Sequence, residues 1–369
     1  MIYLVCKEEN TFNKCVRGGE SMRGYSIYFP EIDDEYMQKM NDAGWEMIFT
    51  SLHVKEYQAD MHALKKLFTS QAVQGKKIIV DVSPATLRVL GINDYHELKD
   101  FGITHLRLDY GFSIADMLRL QEHFVLIFNA SVLDEVMLEE YQASGIQLTN
   151  SSVMHNFYPH EYTGLGYDYV LAKNELFHKY GLRVQGFVAG DMQLRGPIFA
   201  GLPTVERLRQ CSPASSFVVM QELLGFDDIF IGDFQISDEQ REAIDRYCAT
   251  GAITLTCSEF SADYKMFLGK FLTNRQDISE YVIRIRESRA EGVPARKDIE
   301  PYNIEPRPMG SITVDNNGYG RYCGEMQIVR CDLPEDMRVN VIGQVSDADL
   351  AVLPCIKSAT PIYLIYKEL

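Results

Sequence analysis

Eight short β-rich runs alternating with amphipathic helical stretches predict an α/β chain built on a (β/α)8 TIM barrel, with a smaller β-domain after it. Three observations carry this reading. The strand candidates are nearly continuous Val/Ile/Leu/Phe runs, as expected of parallel strands covered on both faces. Eight β/α units fit into roughly 225 residues, close to the ~250 a barrel of this kind takes. No GxGxxG follows the first strand and no P-loop sequence occurs, which disfavours an open doubly wound sheet.

The strand candidates in order are "GYSIYFPE" (24–31), "WEMIFTSLH" (45–53), "KIIVDVSP" (77–84), "HLRLDYG" (105–111), "FVLIFNAS" (124–131), "IQLTNSSV" (146–153), "LRVQGFVAGD" (182–191) and "DDIFIGD" (227–233). Between them, "DEYMQKMNDAG", "YQADMHALKKLFTSQAVQG", "SIADMLRLQEH" and "LDEVMLEEYQASG" place apolar residues three and four apart and close on Gly or a turn, the helical period. After "DEQREAIDRYCATG" the texture changes: "ITLTCSE", a helix-like "FLTNRQDISEYVIRIRESR", then "GSITVDNNGYGRYCGEMQIVR", "MRVNVIGQV" and "PIYLIY". "NNGYG" between alternating runs signals a hairpin. The tail thus predicts a small β-barrel or sandwich with one helix, and "RAEGVPARKDIEPYNIEPRP" an exposed connection within it. The expected division is 22–249 for the barrel and 250–369 for the β-domain.

Residues 1–21 stand apart. The tetrapeptide "RGGE" (17–20), one residue short of Met22, is one that codons such as AGA GGA GGT GAA would encode as a purine-rich ribosome-binding site, so 1–21 are expected to be translated leader and Met22 the start. A net charge of -16 and the lack of any basic run argue against a nucleic-acid partner. No apolar stretch approaches the ~20 residues that span a bilayer. The eight cysteines contain no CxxC pair, which argues against a zinc site or disulfide framework and for a reducing cytoplasm.

In a barrel, chemistry belongs at the C-terminal strand ends. Polar residues recur there: Glu31; His53; Asp81; Asp109; Asn129; the stretch "SVMHNFYPHEYTGLGYDY" with His155, Asn156, Tyr158 and Thr163; Asp191; and Asp233. Carboxylates cost desolvation unless paired or solvated, so five such strand ends suggest chemistry. Each also has a plainer reading as a helix N-cap, and Asp81 a further one, as an ion pair with Arg107 on the next strand.

"HNFYPHEYTGL" (155–165), "RGPIFAGLPTVERLR" (195–209), "IFIGD" (229–233), "GSITVDNNGYGRYCGEMQI" and "VNVIG" together resemble the bacterial 6-phospho-N-acetylmuramidases, formerly catalogued as an outer surface protein family of unknown function. The resemblance runs from about residue 23 to 369. It implies a TIM barrel with a cyclophilin-like domain and no cofactor or metal. It also implies cytoplasmic cleavage of the β-1,4 bond between N-acetylmuramic acid 6-phosphate and N-acetylglucosamine in peptidoglycan recycling. His160 departs from the pattern, where Arg or Lys is expected. Glycoside hydrolysis needs a carboxylic acid and a second stabilising or attacking group, or the substrate's own acetamido carbonyl. Asp109 and Asp233, then Asp81 and Glu31, are the candidate catalytic carboxylates. Phe157 and Tyr158 offer a face for a sugar ring, and Asn129, His155, Asn156, Thr163 and Asp191 offer polar contacts. Arg195, in the loop after the seventh strand, is the phosphate candidate. Arg307 and Arg321 of the tail either close over the mouth or serve a homodimer interface. The rival readings are a metal-dependent sugar-phosphate isomerase using His53, Asp81 and Asp109, and a non-catalytic carbohydrate-binding protein. A pyridoxal-phosphate enzyme is disfavoured because no strand end carries Lys.

Overall fold

The structure is a computed structural model that describes residues 21–28, 32–51, 67, 68, 73, 75–289 and 298–367. Residues 1–20, Glu31, His53 and most of the second helical pattern lie outside the described residues.

Eight parallel strands close into a barrel in sequence order: β1 (Met22–Ser26), β2 (Met47–Ser51), β3 (Lys77–Val82), β4 (Ile103–Leu108), β5 (Val125–Asn129), β6 (Ser152–Met154), β7 (Arg183–Val188) and β8 (Asp228–Ile231), with β8 pairing back onto β1. Helices α1 (Asp34–Asp42), α2 (Thr86–Leu90), α3 (Ile114–Leu120), α4 (Glu135–Ala143), α5 (Tyr167–Lys179), α6 (Pro213–Glu222) and α7 (Asp238–Thr250) connect them. Several helices begin at the polar caps expected of their sequences. The Asp33, Ser113, Asp134, Ser212 and Ser237 side chains accept first-turn N–H groups, each worth about 1 kcal/mol.

The barrel interior is filled by Met47, Phe49, Ile79, Ile127, Met154, Phe187 and Phe230, with Phe157 capping them. Gly24 makes room for this layer, since a Cβ there would meet the Phe230 ring at 2.3 Å. Below, Asp228 accepts from Arg183, Gln185 and the Met22 backbone N–H, closing the N-terminal end with a paired buried carboxylate.

The second sheet has strand order β10-β15-β9-β14-β12-β13-β11, formed by β9 (Ile253–Phe260), β10 (Phe271–Thr273), β11 (Val282–Arg284), β12 (Ser311–Asp315), β13 (Met326–Val329), β14 (Val339–Val345) and β15 (Pro361–Tyr366). It rests on α6 and α7. Buried Asp349 accepts from the Ser212 and Ser215 hydroxyls of the barrel and from the Thr256 N–H of the sheet. Arg246 stacks 4.0 Å from the Tyr363 ring centroid. This covering explains why α6 is apolar around most of its circumference.

Three expectations change. The segment 271–289 forms β10 and β11 rather than a helix: Phe271–Thr273 pairs with β15 and Val282–Arg284 with β13. Its β-branched Val282, Ile283 and Ile285 fit a pleated surface better than their helical spacing suggested. The sixth strand is only Ser152–Met154, because Leu148–Asn150 closes into a 3-10 turn before it. Asn150 therefore sits at the closed end of the barrel. The first strand stops at Ser26, short of the 24–31 run. The "NNGYG" hairpin does form, with β12 antiparallel to β13.

Candidate active site

Strand alternation sets the polar layer above the apolar interior. Residues two apart share a face, so Asp81 follows Ile79 inward, Asn129 follows Ile127 and Asn156 follows Met154. In the β3–β4 register Asp81 stands opposite Arg107. Arg107 Nη1 donates to Asp81 Oδ1 at 2.8 Å, with side-chain exposures of 5% and 14%. Arg107 Nη2 donates to Asn156 Oδ1, and Asn156 Nδ2 donates to Ser131 Oγ at 3.1 Å. Asp81 is thus the ion pair that alternation allowed, holding a buried guanidinium in the barrel axis.

Asp109 continues the inward phase of β4. Its Oδ1 accepts from Asn129 Nδ2 at 3.2 Å, while Asn129 Oδ1 accepts the Ser131 N–H at 3.0 Å. These bonds fix the amide so that its N–H2 faces the carboxylate. Among the predicted carboxylates in the described residues, Asp109 alone is inward-facing, half-buried and without a cation partner.

Asp233 has a different environment. It is 0% exposed; Oδ2 accepts the Gly190 and Leu202 N–H groups at 2.8 and 2.9 Å, and Oδ1 accepts the Arg195 N–H at 2.9 Å. Burial raises its pKa, opposed by those three bonds and by the Arg195 charge. Its oxygens are committed to holding the loops after β7 and β8 together, so the geometry makes it a positioning residue rather than an acid or base. Arg195, which it holds, has its guanidinium 4.4 Å from the Tyr28 ring centroid and 4.8 Å from that of Phe157. Tyr28 in turn donates to Gly232 O at 2.8 Å. Phe157, partly buried, is wedged edge-on among Phe49, Phe187 and Tyr28.

The stretch after β6 is fastened to the loop after β7 by Glu206 and Arg209. Glu206 accepts the N–H groups of Tyr162 and Gly164 at 2.8 and 2.7 Å and pairs with Arg209 at 2.7 Å. Gly164 is required here, since a Cβ would lie 2.5 Å from Glu206 Oε2. Arg209 also donates to the carbonyls of Tyr158, His160, Ala200 and Gly201. The Arg209 hydrogen bonds hold the Glu206 carboxyl down at about 2.

The structure separates the remaining candidates. His155 is 1% exposed and points away from the mouth, Nε2 2.7 Å from Asn174 Oδ1 on α5 and its ring against Phe177 and Phe226. Burial depresses its pKa to about 4, so it is a neutral core residue and not a substrate contact. Asp191 spends both oxygens on the N–H and hydroxyl of Ser237, each at 2.7 Å. Thr163 donates to His160 O at 2.6 Å within a turn, and His160 is exposed with Nδ1 against Glu161 O. Tyr158 is half-buried beside the staple. Arg321 stacks on Tyr322 within the tail, and its backbone carbonyl accepts from Arg289; both contacts stay in the second sheet. Among the described residues no three His, Cys, Asp or Glu side chains gather to hold a metal. Ser131, a strand-end polar residue in the sequence, takes part through its bond to Asn156, whereas Tyr28, Glu206 and Arg209 were missed. The i, i+3 charge pair in "TVERLR" signalled the last two.

A closed parallel barrel with a carboxylate, two amides and a stacked arginine at its strand ends defines a TIM-barrel enzyme. The chain belongs to the 6-phospho-N-acetylmuramidase family, a family of glycosidases: its N-terminal description matches residues 23–246 and its C-terminal description residues 252–365. The crystal structure of a conserved Enterococcus faecalis protein of unknown function is 34% identical, with a TM-score of 0.82 over 94% of this chain and 96% of that one. An uncharacterized B. cereus protein is 25% identical, with a TM-score of 0.73 over 94% and 100%. No curated protein matches the chain.

Proposed function

We propose that this glycosidase hydrolyses the β-1,4 bond between N-acetylmuramic acid 6-phosphate and N-acetylglucosamine, in the recycling of cell-wall fragments in the cytoplasm. The observation that supports it most is Asp109, a carboxylate at the barrel mouth with no cation partner among the described residues, held against Asn129 at 3.2 Å. A carboxyl in that position can exchange a proton with a glycosidic oxygen, the step every hydrolysis of this bond requires. Asn129 and Asn156 are suited to the hydroxyl and acetamido groups of the sugar. An acetamido group held there can act as the internal nucleophile, and Glu31 is the candidate for a second protein carboxylate. Arg195, stacked between Tyr28 and Phe157, is the group we assign to the 6-phosphate. Residues 22–249 would form the catalytic domain and 250–369 its companion.

Incubation with the 6-phosphorylated and unphosphorylated disaccharides, followed by mass spectrometry, tests this. Release of N-acetylglucosamine from the phosphorylated compound alone is expected. Cleavage of neither overturns the function, and equal cleavage of both overturns the phosphate requirement.

A further inference from the structure

Among the described residues five non-glycine residues adopt left-handed backbone: Tyr162 (φ 66), Phe199 (φ 58), Asp298, Asn303 and Ala359. Asp and Asn visit that region readily because their short polar side chains bond locally; aromatic residues do not. Both aromatic cases lie on the loops after β6 and β7, at the barrel mouth. Both rings are also exposed, Tyr162 by 89% and Phe199 by 63%. Neither ring repays the conformation by burial. The Tyr162 backbone is held in place by its N–H bond to Glu206, which glycine would make equally well. The Phe199 backbone N–H donates to Arg195 O, and its ring lies over Gly196, where a Cβ would meet Cζ at 3.0 Å. Arg209 brings the two loops together by bonding His160 O on one and Ala200 O on the other. Folding therefore explains the positions of these two backbones but not the identity of their side chains, and strain retained at a site mouth points to ligand contact.

The depth of the site decides which ligand group meets them. Arg195 is 7% exposed, and Asp109 with Asn129 lies within the barrel end. A sugar held at those groups occupies the interior of the mouth, so the ring on the other side of the scissile bond projects outward across the rim. The C–H face of a pyranose is apolar and buries area against an aromatic ring. We infer that Tyr162 and Phe199 form the binding subsite for the leaving sugar, selecting a pyranose such as N-acetylglucosamine on that side of the bond. This rests on the function proposed above.

The test compares the full chain with its Tyr162→Ala, Phe199→Ala and Tyr162→Gly variants. The substrates are the phosphorylated disaccharide and the methyl β-glycoside of N-acetylmuramic acid 6-phosphate, which has no leaving sugar. The ratio of kcat/KM for the disaccharide to that for the methyl glycoside is expected to fall at least tenfold in each variant, mainly through KM. Tyr162→Gly should also raise Tm, because glycine relieves the backbone; a ring that merely stabilised the loop would lower it. An unchanged ratio, or a shift in sedimentation that shows the rings bind a second copy of the chain, overturns the inference. If the wild type cleaves neither substrate, the proposed function fails separately. The subsite is then read by calorimetric titration with the β-1,4 disaccharide of N-acetylglucosamine. Binding that is lost in Tyr162→Ala supports the subsite, and no wild-type binding overturns it.

Discussion

Asp233 reaches across 38 residues of sequence to accept the backbone N–H of Arg195 at 2.9 Å, and the same carboxylate holds Gly190 and Leu202. One enclosed side chain therefore fixes where the Arg195 guanidinium can sit. Replacing Asp233 with Asn turns one acceptor oxygen into a donor facing N–H groups. Calorimetry should show a loss of about 2–4 kcal/mol. Kinetics on the phosphorylated disaccharide should show KM rising by a larger factor than kcat falls.

Asp109 and Asp81 should separate cleanly. Asp109→Asn is expected to lower kcat by about 10²–10⁴ with little change in Tm, since its carboxylate pairs with no cation among the described residues. Asp81→Asn leaves Arg107 buried without its counter-ion and should cost about 3–5 kcal/mol of stability. Parallel thermal melts and turnover assays distinguish the two.

The Glu206–Arg209 staple carries a pH signature. The Glu206 carboxyl titrates near 4.5 in the unfolded chain and is held at about 2 in the folded one. Its stabilisation is therefore complete above about pH 4.5 and disappears as pH falls toward 2. Glu206→Gln should lower Tm at pH 7, and its difference from wild type should shrink across that window. Limited proteolysis at pH 7 should cut the variant within 156–165 faster.

Asp315 behaves in the opposite sense. It is 5% exposed, and burial first, then the Glu325 and Asp336 charges, push its pKa from 3.8 to about 7. The folded chain holds the proton that the unfolded chain loses, so its contribution is full below pH 4 and declines as pH rises through 7. Asp315→Asn keeps the shape without the ionisation and should melt higher than wild type at pH 8, by an amount on the order of 4 kcal/mol. The two proteins should converge near pH 4.

The barrel was legible because each buried parallel strand repeats the same apolar texture, which survives errors of several residues at its ends. The second sheet was partly misread, since 271–289 has helical spacing and only pairing with β13 and β15 settles it. Within the site, residue type was a weaker guide than phase. Met154 faces inward, so His155 must face α5 and Asn156 the mouth. The same parity, carried past Phe230, takes Asp233 off the inward face. What no local pattern disclosed was the long-range fastening: Glu206 with Tyr162, Asp233 with Arg195, and Arg195 between Tyr28 and Phe157, contacts that exist only once the barrel closes.

Asp349 gathers Ser212 and Ser215 from the barrel and Thr256 from the sheet around one carboxylate. Loss of the sheet would leave the Ser212 and Ser215 hydroxyls to water but would uncover the apolar surface of α6. An ancestor that shed the sheet would have had to rebuild the outer surface of α6 in the same step. Severing the chain near residue 250 should therefore leave a barrel half that exposes a large apolar face and aggregates.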